Sequence, residues 1–161
     1  MKLKLLFPIV FFSFVSCAQS KSNSSLNYTH EVVVSDMTIP WGIAFLPDNS
    51  MLVTEKEGTL IHFKNGKKSE IKGLPEVTVL GQGGLMDIEL HPNYKDNGWI
   101  YISYASADGE ENGANTAIMR FKIENGAAVE KKLLYKAAPN SSRGQHFGSA
   151  IEFDNEGFIY F

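Results

Sequence analysis

Ile88-Glu89-Leu90-His91-Pro92, followed after a short polar turn by Trp99-Ile100-Tyr101-Ile102-Ser103-Tyr104, is the stretch on which the fold turns. An alternating apolar segment stops at a proline, and an aliphatic-aromatic run begins after Asp96-Asn97-Gly98. Such residues suit a pleated surface, and Asn-Gly supplies positive φ at little steric cost. The pattern occurs twice more, as Ile43-Ala44-Phe45-Leu46-Pro47-Asp48 with Met51-Leu52-Val53, and as Ile151-Glu152-Phe153-Asp154 with Phe158-Ile159-Tyr160. The copies lie about 45 to 65 residues apart, near the size of a four-stranded propeller blade with its loops. Further strands are expected over residues 59–63 and 117–123. Hairpin turns are expected at Lys64-Asn65-Gly66-Lys67, Glu124-Asn125-Gly126 and Asp154-Asn155-Glu156-Gly157. The expectation is an all-β chain built as a β-propeller. A β-sandwich or plain meander would share the alternation and the turns, and only the recurrence separates them.

The composition, 43% hydrophobic and 20% charged over 161 residues, is that of an ordinary globular domain. Eighteen acids against fifteen bases give a net charge of −3, and no Lys/Arg stripe follows a phosphate backbone, which excludes nucleic acid as a partner. Lys2 and Lys4 precede an apolar run over residues 5–15 that is too short to cross a bilayer, so the N-terminus reads as a signal peptide. Val15-Ser16-Cys17 looks like a bacterial lipobox, with Cys17, the only cysteine, as the acylated residue. Cleavage after Ala18 by ordinary signal peptidase also fits the small-x-small rule.

The expected organisation is a lipoprotein signal peptide over 1–17, a polar tether over 18–30 and an incomplete propeller over 31–161. The protein would then be exported and held by lipid at a periplasmic, outer-membrane or cell surface, each buried methylene adding about 0.8 kcal/mol. Two blades and the opening of a third do not close a ring, so the chain is expected to be the N-terminal part of a longer propeller.

Three glycine-containing stretches precede the first strand of each unit: Thr38-Ile39-Pro40-Trp41-Gly42, Gly81-Gln82-Gly83-Gly84-Leu85 and Gly144-Gln145-His146-Phe147-Gly148-Ser149. In a propeller those positions open onto one mouth of the central channel, so Gln82 and His146 are expected to converge there. A histidine beside a bound alcohol can accept its proton, and an amide can orient a sugar hydroxyl without titrating. His30, His62 and His91 read as structural, with His62 facing solvent. Asp87 and Glu89 share a strand face that reads as solvated, and no metal-ligand spacing is present.

At these stretches the sequence resembles the glucose/sorbosone dehydrogenase family, which includes soluble quinoprotein glucose dehydrogenase and the aldose sugar dehydrogenases. The resemblance is carried by Ile39-Pro40-Trp41-Gly42-Ile43-Ala44-Phe45-Leu46-Pro47-Asp48, Leu52-Val53-Thr54-Glu55, Gly81-Gln82-Gly83-Gly84-Leu85-Met86-Asp87, His91-Pro92 and His146-Phe147-Gly148-Ser149. It implies a six-bladed propeller, of which about two blades and the start of a third are here. It also implies aldose oxidation with pyrroloquinoline quinone, calcium ions and a respiratory electron acceptor. By the same resemblance His146 is the general base, and Gln82 and Gln145 lie on the substrate side. The family's cofactor and calcium ligands are expected beyond Phe161. Ala150 departs from the pattern, since relatives commonly carry Arg there.

Overall fold

A computed structural model describes residues 28–161. The expected signal peptide, the lipobox Cys17 and most of the tether lie outside these residues. The chain divides into two units, 1–31 and 32–161. Of the first, only residues 28–31 are described, an exposed stretch without regular structure that includes His30.

The second unit opens with a four-stranded antiparallel blade of β1 (Pro40–Phe45), β2 (Met51–Glu55), β3 (Thr59–Lys64) and β4 (Lys67–Ile71), paired in sequence order. A second blade of the same order follows: β5 (Leu85–Leu90), β6 (Ile100–Ser106), β7 (Asn115–Glu124) and β8 (Ala127–Lys136). A two-stranded ladder of β9 (Glu152–Phe153) and β10 (Ile159–Tyr160) begins a third. This is the opening of a β-propeller, not a sandwich. Each sheet meanders through neighbouring strands, and the sheets stack face to face in chain order.

The hairpins follow from their turn residues. Lys64 pairs with Lys67, and Glu124 with Ala127, which leaves Asn65-Gly66 and Asn125-Gly126 as two-residue turns. All four turn residues have positive φ, between 50° and 76°. Such turns carry the right-handed twist of the flanking strands. The β5–β6 connection differs from the simple turn expected there. It contains a single helical turn, α1 (Tyr94–Asn97), ended by Gly98 at φ 68°, whose N–H donates to the Tyr94 carbonyl at 2.8 Å. Left-handed closure of a helical turn is where glycine costs least.

The main core lies between the first two blades. Leu52 and Leu60 from the first meet Leu85, Ile88, Ile100, Ile102 and Phe121 from the second. A smaller cluster of Tyr101, Ile118 and Ile151, flanked by Trp99, Phe153 and Ile159, joins the second blade to the third.

Each apolar seam carries a polar tie of the same design. The buried Thr54 hydroxyl accepts the Gly42 N–H at 2.8 Å and donates to the Met86 carbonyl at 2.6 Å, crossing from blade 1 to blade 2. At the matching position of blade 2, the Ser103 hydroxyl accepts the Asp87 N–H at 2.9 Å and donates to the Ser149 carbonyl at 2.8 Å. A buried hydroxyl that left either group unpaired would cost about 1–3 kcal/mol, so these ties set the register of successive inner strands.

Candidate active site

Residues 81–84 and 144–148 lie just before β5 and β9, and the fold presses them together. The Gln82 N–H donates to the Gly144 carbonyl at 2.8 Å. A Cβ on Gly81 would stand 2.2 Å from that carbonyl oxygen, and one on Gly83 would stand 2.6 Å from the Phe147 ring. The glycines are required by this close approach, not by any phosphate. Lys56, directly after β2 of blade 1, grips the same loop at both ends. Its carbonyl accepts the Leu85 N–H at 2.9 Å, and its ammonium donates to the Gly81 carbonyl.

Gln82 and His146 thereby line one cleft of about 280 Å³, together with Trp41, Met86, Phe147 and Gly148. The Gln82 Oε1 accepts the His146 backbone N–H at 3.0 Å, across 64 residues of sequence. His146 itself has φ 61°, in the left-handed region that non-glycine residues seldom occupy. Among the described residues its imidazole has no hydrogen-bond partner. Both side chains are exposed to the cleft. The lining is aromatic, thioether and amide, with no charged group in it. Such a surface can cover the apolar face of a sugar while one base and one amide address its hydroxyls.

Gln145 is exposed and does not line this cleft. Ala150 lines an adjoining hollow of about 580 Å³ with Trp41, Asp87, Gly148, Ser149 and Phe161. Trp41 and Gly148 border both spaces.

Two expectations about acidic residues and one about a histidine are corrected. Asp87 is half-buried, and its Oδ2 accepts the Ile151 N–H at 2.7 Å, so it binds blade 2 to the inner strand of blade 3. Glu89 is also half-buried, and burial, seconded by the nearby Glu152 and Asp87 charges, raises its carboxyl pKa. Strand alternation alone assigned both to solvent. It failed because the face they occupy is covered by the next blade. His62 is half-buried too, with Nε2 2.8 Å from the Ser50 hydroxyl. His91 is structural. Its Nδ1 accepts the Asn93 N–H at 3.0 Å, and its ring lies 6.1 Å from that of Tyr101.

Sequence reasoning missed Lys56, and it missed the lining role of Met86. Trp41 and Phe147 stood inside the quoted glycine stretches, but nothing in the sequence showed which way their rings point. No group of three or more His, Cys, Asp or Glu side chains is placed to hold a metal ion among the described residues.

Comparison with known proteins agrees with this architecture. The family described as Glucose / Sorbosone dehydrogenase matches residues 37–161. The aldose sugar dehydrogenase YliI of Escherichia coli (strain K12) is 34% identical over 135 residues, which cover 81% of this chain and 36% of that protein. Quinoprotein glucose dehydrogenase B of Acinetobacter calcoaceticus is 30% identical over 91 residues, covering 53% of this chain and 19% of that one. The chain therefore spans about a third or less of these relatives. Among solved structures, the soluble aldose sugar dehydrogenase from Escherichia coli in its apo form superposes with a TM-score of 0.75 at 34% identity, over 80% of this chain and 38% of that one. With two successive blades, the start of a third and a family match over most of its length, the chain belongs to the glucose/sorbosone dehydrogenase family.

Proposed function

We propose that the full-length protein containing this chain oxidises aldose sugars at the anomeric carbon, with His146 as the general base and pyrroloquinoline quinone as the hydride acceptor. The observation that carries this reading is the meeting of Gln82 and His146 in one uncharged, aromatic-walled cleft. The sugar class is supported by relatives whose names are aldose sugar dehydrogenase and glucose dehydrogenase, and the quinone by the name of the Acinetobacter relative.

His146 would take the proton of the anomeric hydroxyl on an imidazole nitrogen, which would prepare the same carbon to give up its hydride to an acceptor held by the full-length protein and the sugar to leave as a lactone. Trp41 and Phe147 wall one side of the cleft. The quinone supplies the two-electron acceptor. These residues do not by themselves fit that group, since a tricarboxylate calls for cations and the cleft lining has none. Nor do they assemble a calcium site. Holding both falls to residues outside this stretch. Gln145 belongs at the outer margin of the substrate region, and Ala150 brings no cation to the adjoining hollow.

The chain's N-terminus completes the proposal. Residues 1–17 act as a lipoprotein signal peptide, Cys17 carries the lipid, and residues 18–30 tether the propeller at a membrane surface. A quinone held by the full-length protein would there lie within reach of a respiratory electron acceptor.

The test is to express the full-length gene product, reconstitute it with quinone and Ca²⁺, and follow dye reduction with a panel of aldoses. Turnover with one or more aldoses supports the reading. Sugar binding without turnover on any of them favours a non-catalytic carbohydrate-binding propeller instead.

A further inference from the structure

The geometry points to Gln82 as a positioning residue for His146, in addition to any contact it makes with sugar. This inference rests on the reading of His146 as the base. The Gln82 side chain can meet a backbone N–H only through its oxygen, because an amide NH₂ donates and cannot accept. The 3.0 Å bond to the His146 N–H therefore fixes which way the amide lies. Two consequences follow from that orientation.

The first concerns the backbone. His146 sits at φ 61°, Gly148 at φ 67° and Ser149 at φ 116°, so the segment holding the base departs repeatedly from the conformations that L-residues favour. Conformations of this kind persist only where surrounding contacts determine them. Around residues 144–149 those contacts are few and identifiable. Gly144 is held by the Gln82 N–H, the Phe147 carbonyl by the Thr116 hydroxyl, and Ser149 by the Ser103 hydroxyl. Between them the His146 N–H is held by the Gln82 side chain. Without Oε1, the His146 N–H has no acceptor among the described residues, and the turn that carries the imidazole is held only from its flanks, at Gly144 and Phe147. A shift of about 1 Å in a reacting group can cost about 10²-fold in rate, so a backbone clamp one bond from the base bears directly on turnover.

The second consequence concerns the ligand. With one lone pair of Oε1 engaged by the His146 N–H, Gln82 keeps both donors of its NH₂ group for the cleft. Those donors suit a ring or hydroxyl oxygen of the substrate. Lys56 extends the clamp backwards, since it holds the carbonyl of Gly81 immediately before Gln82.

The experiment uses full-length protein labelled with ¹⁵N-histidine, in which amide exchange of His146 is read directly and kcat and KM are measured on the same preparations. Gln82→Ala removes the acceptor, whereas Gln82→Glu keeps an oxygen for the N–H and deletes the NH₂ donor. The expected result for Gln82→Ala is exchange at His146 about five-fold faster or more, with kcat lowered about ten-fold. For Gln82→Glu, exchange stays slow and kcat recovers, while KM rises. Unchanged exchange in Gln82→Ala, or a rise in KM alone with kcat intact, would overturn the clamp. If wild-type protein oxidises no aldose, the sugar reading fails, and the exchange rates still decide the clamp on their own.

Discussion

Blade 1 and blade 2 share one strand order and one alternation, yet they are buried very differently. Every residue of β6 is buried, whereas β2 buries only its middle three, and on β1 Ile43 is 50% and Phe45 66% exposed. Apolar content is not the cause, because the exposed Ile43 and Phe45 of β1 are as apolar as the buried residues of β6. Among the described residues blade 2 has a neighbour on each side and blade 1 has one. A propeller blade is stabilised by what stacks on it, and the two blades show the same sequence pattern with and without a second partner.

The largest expected effect lies in that contrast. Phe121→Ala, in the seam between the blades, should lower unfolding stability by about 3–5 kcal/mol, while Phe45→Ala on the open face of this chain should cost under ~1 kcal/mol. Urea unfolding of the two variants checks it, and equal losses would mean that the open face is covered in solution. Next comes the contact between the glycine loops. Gly81→Ala puts a methyl against the Gly144 carbonyl at a residue with φ 58° and should cost about 2 kcal/mol or more by the same measurement. Thr54→Val keeps shape but strands the Gly42 N–H and the Met86 carbonyl, for a loss of about 1–3 kcal/mol. Ser103→Ala should behave alike if the ties repeat from blade to blade.

The smallest effect is electrostatic. Burial raises the Glu89 pKa, so folding favours its protonated form. That contribution is complete below the unfolded pKa and is lost as pH rises through the folded one. Glu89→Gln should therefore raise the melting temperature slightly at pH 7 and leave it unchanged near pH 4. A lowered melting temperature at pH 7 would contradict the assignment.

Much of this was legible in the residues. The recurrence of Ile43, Ile88 and Ile151 at the same point of each unit marks three inner strands, and Asn65-Gly66 and Asn125-Gly126 mark two hairpins. The convergence of Gln82 and His146 was also readable, since a propeller brings inner-strand starts to one mouth. β4 and β8 were not. Their sequences, KKSEI and AAVEKKLLYK, are outer strands rich in charge, held by pairing with β3 and β7 more than by burial. Asp87 and Glu89 were misread for the complementary reason. Alternation within a strand shows two faces but not what stacks on either. The role of Lys56 left no sequence signal, because it acts through its backbone carbonyl and its reach to Gly81.

The claim on which the functional account depends is that His146, held beside Gln82 by the meeting of two glycine loops, removes the sugar proton. Steady-state aldose oxidation by the reconstituted full-length protein and its His146→Ala variant measures this directly. The account predicts a kcat lower by about 10²-fold or more with KM little changed; an unaltered kcat would contradict it.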